Sequence, residues 1–118
     1  MDERQLAHLV ERFYAKVRQD PALGPIFNDA IGDWDHHLNL LTDFWSSVML
    51  ASGQYKGNPM AAHLRHRARL TPALFALWLN LWDETAKDVL SPQDAAAIRA
   101  TADRIARSLQ LGLQHIAA

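Results

Sequence analysis

Two histidines three residues apart, His63 and His66, stand in the stretch YKGNPMAAHLRHRARL (Tyr55 to Leu70). An imidazole there could ligate a metal or move a proton, or it could belong to a merely basic, solvated turn of helix. Asn58-Pro59 is a helix start, since Asn caps well and Pro suits the first helical position. On that helix His63 shares a face with Met60, Leu64 and Arg67, whereas His66 falls with Ala62, Arg69 and Leu70. Apolar neighbours flank His63 more fully. His37 sits between Trp34 and Leu41 at helical spacing, as a boundary histidine or as a donor, acid or base in a pocket. Tyr14 adjoins the apolar position Phe13, and a buried tyrosine usually directs its hydroxyl to a partner. Trp78, taken alone, reads as core packing. His36, His8 and His115 read as surface residues.

Other chemistries are poorly supported. The chain has no cysteine, which removes disulfides, thiolate zinc sites and cysteine nucleophiles. A zinc site on His37, His63 and His66 lacks an H-E-x-x-H pattern or a matching carboxylate. No glycine-rich phosphate loop or G-x-S-x-G elbow is present. Net charge is −1, and the arginines form no stripe with interleaved aromatics, so nucleic acid is not an expected partner. No run approaches the roughly 18 apolar residues of a membrane span, and the charged N-terminus is unlike a signal peptide. The expectation is a cytoplasmic protein of one domain, residues 1–118.

The elements that must position these side chains are helices. Leu6, Leu9, Val10, Phe13 and Val17 repeat at 3.6-residue spacing, behind an acidic first turn at Asp2 and Glu3. Asp20-Pro21 ends that helix, and a short piece follows over Ala22 to Ile31. Asp33 is the expected cap of a second long helix with the stripe Trp34, Leu38, Leu41, Phe44, Trp45, Val48 and Met49, stopping near Ser52-Gly53. A short helix is expected over Met60 to about Arg67. Thr71-Pro72 opens the cleanest stripe, Phe75, Trp78, Leu79, Trp82, Ala86 and Val89. Ser91-Pro92-Gln93-Asp94 resembles a capping box before a last helix that buries Ile98, Ala102, Ile105, Leu109 and Ile116. Alternating apolar patterns are absent. The fold class is all-α, with four substantial helices and two short ones.

Three segments carry a resemblance: FYAKVRQDPALGPIFNDAI, HHLNLLTDFWSSVMLASGQYKGNPMAAHL and LFALWLNLWDETA. Together they resemble the third group of truncated haemoglobins, small bacterial globins of shortened helical-sandwich fold enclosing haem b. The likeness runs from about Leu6 into the last helix. Its most specific parts are Phe-Tyr followed by GPIFN, the Asp-Phe-Trp of the second long helix, and Y-x-G-x-P-x-x-x-H. The absence of any Gly-Gly pair agrees, because the other two groups usually carry glycine motifs.

The resemblance implies roles residue by residue. His63, the histidine of G-x-P-x-x-x-H, matches the proximal iron ligand. Tyr14 matches the distal tyrosine that hydrogen-bonds a bound ligand. His37, seven residues before Phe44, matches the gate-like distal histidine, and Trp78 matches the distal tryptophan. Phe27, Trp34, Leu41, Phe44, Trp45, Leu64, Phe75 and Trp78 become expected walls of a haem pocket, with Arg67 the arginine best placed for a propionate. One departure is the stretch LRHRAR after His63. It is longer than usual in the family and adds His66, which leaves the end of the short helix and a second iron-ligand candidate open.

The implied function is binding of oxygen or another small ligand at a five-coordinate iron, in a monomer. It extends to oxygen transport, nitric oxide dioxygenation or peroxidase-like turnover with a separate reductase. The alternative from another class is a haem-free globin-like helical sensor or interaction domain, in which the tryptophans are core and the histidines incidental.

Overall fold

The described residues fold as six helices, and most of their starts are set by side-chain caps. The computed structural model describes residues 1–117 and the side chains of residues 1–114. Helix α1 spans Glu3–Gln19, α2 Leu23–Ala30, α3 Trp34–Leu50, α4 Pro59–Leu64, α5 Pro72–Val89 and α6 Pro92–Ala117, with no strand among the described residues. Ile116 and His115 lie outside the described side chains.

Each cap relieves backbone N–H groups that the first helical turn leaves without partners. Asp2 accepts from the Gln5 N–H at 2.8 Å while the Gln5 side chain accepts from the Asp2 N–H at 3.0 Å, a reciprocal capping box. Asp33 accepts from His36 N at 3.1 Å, Asn58 from Ala61 N at 3.2 Å, Thr71 from Leu74 N at 3.3 Å and Ser91 from Asp94 N at 3.2 Å. Proline fills the first position of α4, α5 and α6, where its missing N–H costs nothing.

Two boundaries differ from the expectation. Helix α3 stops at Leu50 rather than near Ser52-Gly53, because Ala51 turns into the left-handed region at φ 56°. Helix α4 ends at Leu64 rather than Arg67. Beyond it, His66 N–H bonds back to His63 O at 3.0 Å and Arg67 N–H to Leu64 O at 3.4 Å. These bonds span three residues instead of four and tighten the chain into successive turns.

Helix α1 is the central post. It packs on α2, α3 and α5, while α5 packs on α6 and α4 packs on α6. No comparable packing joins α3 to α4. Leu6, Leu9, Phe13, Val17, Trp45, Trp82 and Ile98 fill the main core and are essentially inaccessible. Phe13 meets Tyr14, Trp78 and Trp82 edge-on at 4.8, 5.3 and 4.8 Å, the favoured geometry for aromatic quadrupoles. A second cluster forms from Phe75, Ala106, Leu109 and Leu113, with Met60, Leu64 and Leu70 against it. The two clusters share Leu79 and Ile105 along their border.

Helix α2 lies so close to the end of α1 that only glycine fits at position 24. A Cβ there would stand 2.8 Å from the Arg18 carbonyl oxygen, which is backbone and cannot swing away. Helix propensity favours Gly24→Ala by up to about 1 kcal/mol, and overpacking opposes it by about 1–3 kcal/mol. The collision should win, so urea unfolding should show Gly24→Ala less stable than the native chain. Equal or greater stability would mean that α2 rides free of α1.

Candidate functional site

Chemistry-bearing residues collect on two walls. The first is built by α1, α2, α3 and α5 around Tyr14. The Tyr14 ring is buried, 5.7 Å from Phe27 and 6.0 Å from Trp34. Burial pushes its hydroxyl well above the ordinary tyrosine value, while the nearby Trp78 indole N–H works the other way. Tyr14 is therefore a neutral phenol at physiological pH. An indole only donates, so the Tyr14 O–H itself stays available to another acceptor.

His37 extends this wall. It is half-buried, edge-on to Trp34 at 6.0 Å. Burial lowers its pKa, and the neighbouring His36 lowers it further. The neutral ring keeps one donor and one acceptor nitrogen. On the outer side, the Arg18 guanidinium lies 4.6 Å from the centre of the Trp34 ring, a cation–π contact that braces the indole. Sequence reasoning missed Arg18. The available signal was its position four residues after Tyr14, on the same face of α1.

The second wall belongs to α4 and its neighbours. His63 is half-buried, and its Nδ1 stands 2.6 Å from the Pro59 carbonyl oxygen. A carbonyl accepts only, so Nδ1 carries the proton and Nε2 the free lone pair. The bond also fixes the ring plane, as backbone carbonyls commonly do behind metal-ligating histidines. His66 is half-buried too, but no ring hydrogen bond orients it among the described residues. Leu64 and Phe75 stand beside His63's helix in the second cluster, joined by Met60 and Leu70, which the sequence did not mark as wall residues.

The remaining expected positions divide. Trp34, Leu38, Leu41, Phe44 and Trp78 pack against the main core yet stay only partly covered, as the lining of an unshared face would. Trp45 is 2% exposed and stacked on Trp82, so it backs the wall from within the core. Val48, placed on the apolar stripe by spacing, is 43% exposed. It borders an open cleft of about 450 Å³ with Phe44, Met60, Ile105 and Leu109. That cleft touches neither Tyr14 nor His37, His63 or Trp78. Arg67 is exposed and forms no ion pair among the described residues. No group of three or more His, Asp or Glu residues able to hold a metal ion exists among the described residues. No described helix is long and apolar enough to cross a membrane.

An all-helical sandwich, with one imidazole presented from a short helix and a tyrosine–tryptophan pair on another wall, is a shortened globin. Comparison with known proteins agrees. The chain is 35% identical over 114 residues to the group 3 truncated hemoglobin ctb of Campylobacter jejuni, covering 93% of this chain and 89% of that protein. It superposes on the crystal structure of group III truncated hemoglobin from Campylobacter jejuni with a TM-score of 0.86 and 36% identity, over 96% of this chain and 91% of that one. No protein-family model matches the chain. At this identity and coverage, the chain belongs to the group 3 truncated haemoglobins.

The low pKa of His37 has a measurable consequence. Its folded midpoint lies below the ordinary 6.5, so the unfolded chain takes the proton first. The resulting contribution to stability is present above pH 6.5 and is lost as pH falls through the lowered midpoint. Histidine NMR titration should find His37 the residue with a depressed midpoint, and His37→Gln should remove part of the acid destabilisation. A midpoint at or above 6.5 would contradict the burial.

Proposed function

We propose that the chain binds haem b between α3 and α4, with Nε2 of His63 as the protein ligand to iron and with oxygen or another diatomic molecule as its partner. The His63–Pro59 bond is the single observation that supports this most. It leaves a lone pair on Nε2, already oriented, on a helix whose main packing is on α6 rather than α3. The residues suit the group. Partly covered Trp34, Leu38, Leu41 and Phe44 on one side, and Leu64 on the other, offer apolar area for a flat, mostly apolar disc. Arg67 and its neighbouring arginines reach solvent, where a propionate would lie.

When bound, haem supplies an iron whose sixth site is open to oxygen, nitric oxide or peroxide. Tyr14 would be the residue to donate its O–H to such a ligand, and the single N–H of Trp78 could either orient the phenol or donate in its place. His37, neutral and at the edge, gates the site and can exchange a proton there. Each hydrogen bond to a partly charged ligand contributes about 1.5–3 kcal/mol. Donors of this strength slow oxygen release. They favour redox work on nitric oxide or peroxide over oxygen transport. We take the protein to be a cytoplasmic monomer that draws electrons from a separate reductase.

Two variants test the ligand and one the distal wall. Adding haem to the purified protein should produce a Soret band that is lost or grossly altered in His63→Ala and retained in His66→Ala. The reverse pattern would assign iron to His66, and no band in the native protein would favour a haem-free helical domain. Tyr14→Phe should speed oxygen dissociation roughly tenfold or more. Unchanged stopped-flow kinetics would remove Tyr14 as the principal donor.

A further inference from the structure

The most ordered aromatic arrangement in the core lies behind the pocket. Trp78 and Trp82, one turn apart on α5, are parallel within 4° at 5.5 Å between ring centres. Trp45 of α3 stacks on Trp82 at 4.5 Å and 20°. Phe44 then meets Trp45 edge-on at 5.4 Å and Tyr55 edge-on at 5.2 Å. Tyr55 is half-buried on the loop between α3 and α4, its hydroxyl lying over Gly57, where any Cβ would collide with it. A continuous file of rings thus leads from the Tyr14–Trp78 pair to the protein surface.

Packing alone accounts poorly for Trp82. Its side chain is fully buried, and its Nε1–H has no hydrogen-bond partner among the described residues. Leaving such a donor unsatisfied costs about 1–3 kcal/mol, which an apolar ring would avoid. Native structures hold few such groups, and a redox role is one of the recognised reasons for keeping one.

We propose that the Trp78–Trp82–Trp45 stack conducts one-electron oxidation from the ligand pocket to Tyr55, so that reduction of hydrogen peroxide in the pocket leaves a phenoxyl radical at the surface. The proposal rests on the haem reading above. Indole and phenol are the most readily oxidised side chains of a chain without cysteine. Among the described residues nothing accepts the N–H proton of Trp82, so its oxidised form is not relieved by proton loss to the protein. It stays strongly oxidising and draws an electron from the next ring. Tyr14 is buried, and on the haem reading its O–H faces only the bound ligand, so an oxidation there stays inside the pocket. Tyr55 reaches water, loses its hydroxyl proton and holds the oxidation there.

The step balances with hydrogen peroxide as the oxidant. One peroxide, one ferrous haem, one tyrosine and one solvent proton give two waters, one ferric haem and one neutral Tyr55 phenoxyl. The O–O bond breaks. One electron comes from iron, and the other comes from Tyr55 together with its proton.

The test is peroxide treatment of the ferrous haem-loaded protein with the spin trap 2-methyl-2-nitrosopropane, followed by peptide mapping of the adduct and freeze-quench electron paramagnetic resonance. The native protein should carry the adduct on Tyr55. Trp82→Phe, with its Soret band intact, should lose most of that labelling. Tyr55→Phe, a substitution outside the core, should lose both the adduct at position 55 and the tyrosyl signal, leaving a tryptophan-type signal in the resonance spectrum. Adduct on Tyr14 alone, equal Tyr55 labelling in Trp82→Phe, or labelling of Tyr55 in haem-free protein would each overturn the relay. A normal Soret band without Tyr55 labelling overturns the relay alone, whereas absence of the Soret band overturns the haem reading beneath it.

Discussion

The arrangement depends on two helices whose principal packing partners differ. Helix α3 is held by α1, and α4 is held by α6. Each therefore presents an apolar face that its own neighbours only partly cover. Trp34, Leu38, Leu41 and Phe44 are such residues on α3, and Met60 and Leu64 on α4. Apolar surface left in this condition forgoes roughly 25 cal/mol for every Å² that a third body could cover. A chain of this size has little core to spare, so an enclosed ligand becomes part of its stability.

The electrostatics of the two walls follow from the same geometry. Burial beside Phe13, Phe27 and Trp34 keeps Tyr14 protonated and His37 neutral, so the wall around Tyr14 offers hydrogen bonds without fixed charge. On α4, the Pro59 carbonyl determines which imidazole nitrogen is free. One wall is thus suited to donate to a small ligand and the other to bind a metal from behind. The aromatic stack beneath braces the wall around Tyr14, since Phe13 and Trp82 join α1, α3 and α5 in one close-packed unit.

Much of this was legible in the sequence because the helix starts are written in local chemistry. Asp33, Asn58, Thr71 and Ser91 cap the helices that spacing assigns to them, and Pro59, Pro72 and Pro92 occupy first positions. The six-helix count and the all-α class follow from those signals and the 3.6-residue stripes. Features that depend on tertiary contact were not legible. Nothing local announces that Ala51 adopts a left-handed turn, or that the chain after Leu64 tightens into successive turns. Spacing put Trp45 and Val48 on one stripe. Packing separates them, because Trp45 stacks on Trp82 in the core while Val48 faces the open cleft opposite α4 and α6. The choice between His63 and His66 leaned on helical facing and family likeness. The physical distinction is a hydrogen bond to a carbonyl four residues back, which no residue type at Pro59 would reveal.

The central claim is that α3 and α4 enclose a haem whose iron is bound by His63. A crystal structure of the protein reconstituted with haem tests it most directly. The account predicts the disc between these two helices, iron on Nε2 of His63, the Nδ1–Pro59 bond retained, and the Tyr14 hydroxyl on the opposite side of the ring. Iron on His66, or haem bound away from both His63 and Tyr14, would contradict it.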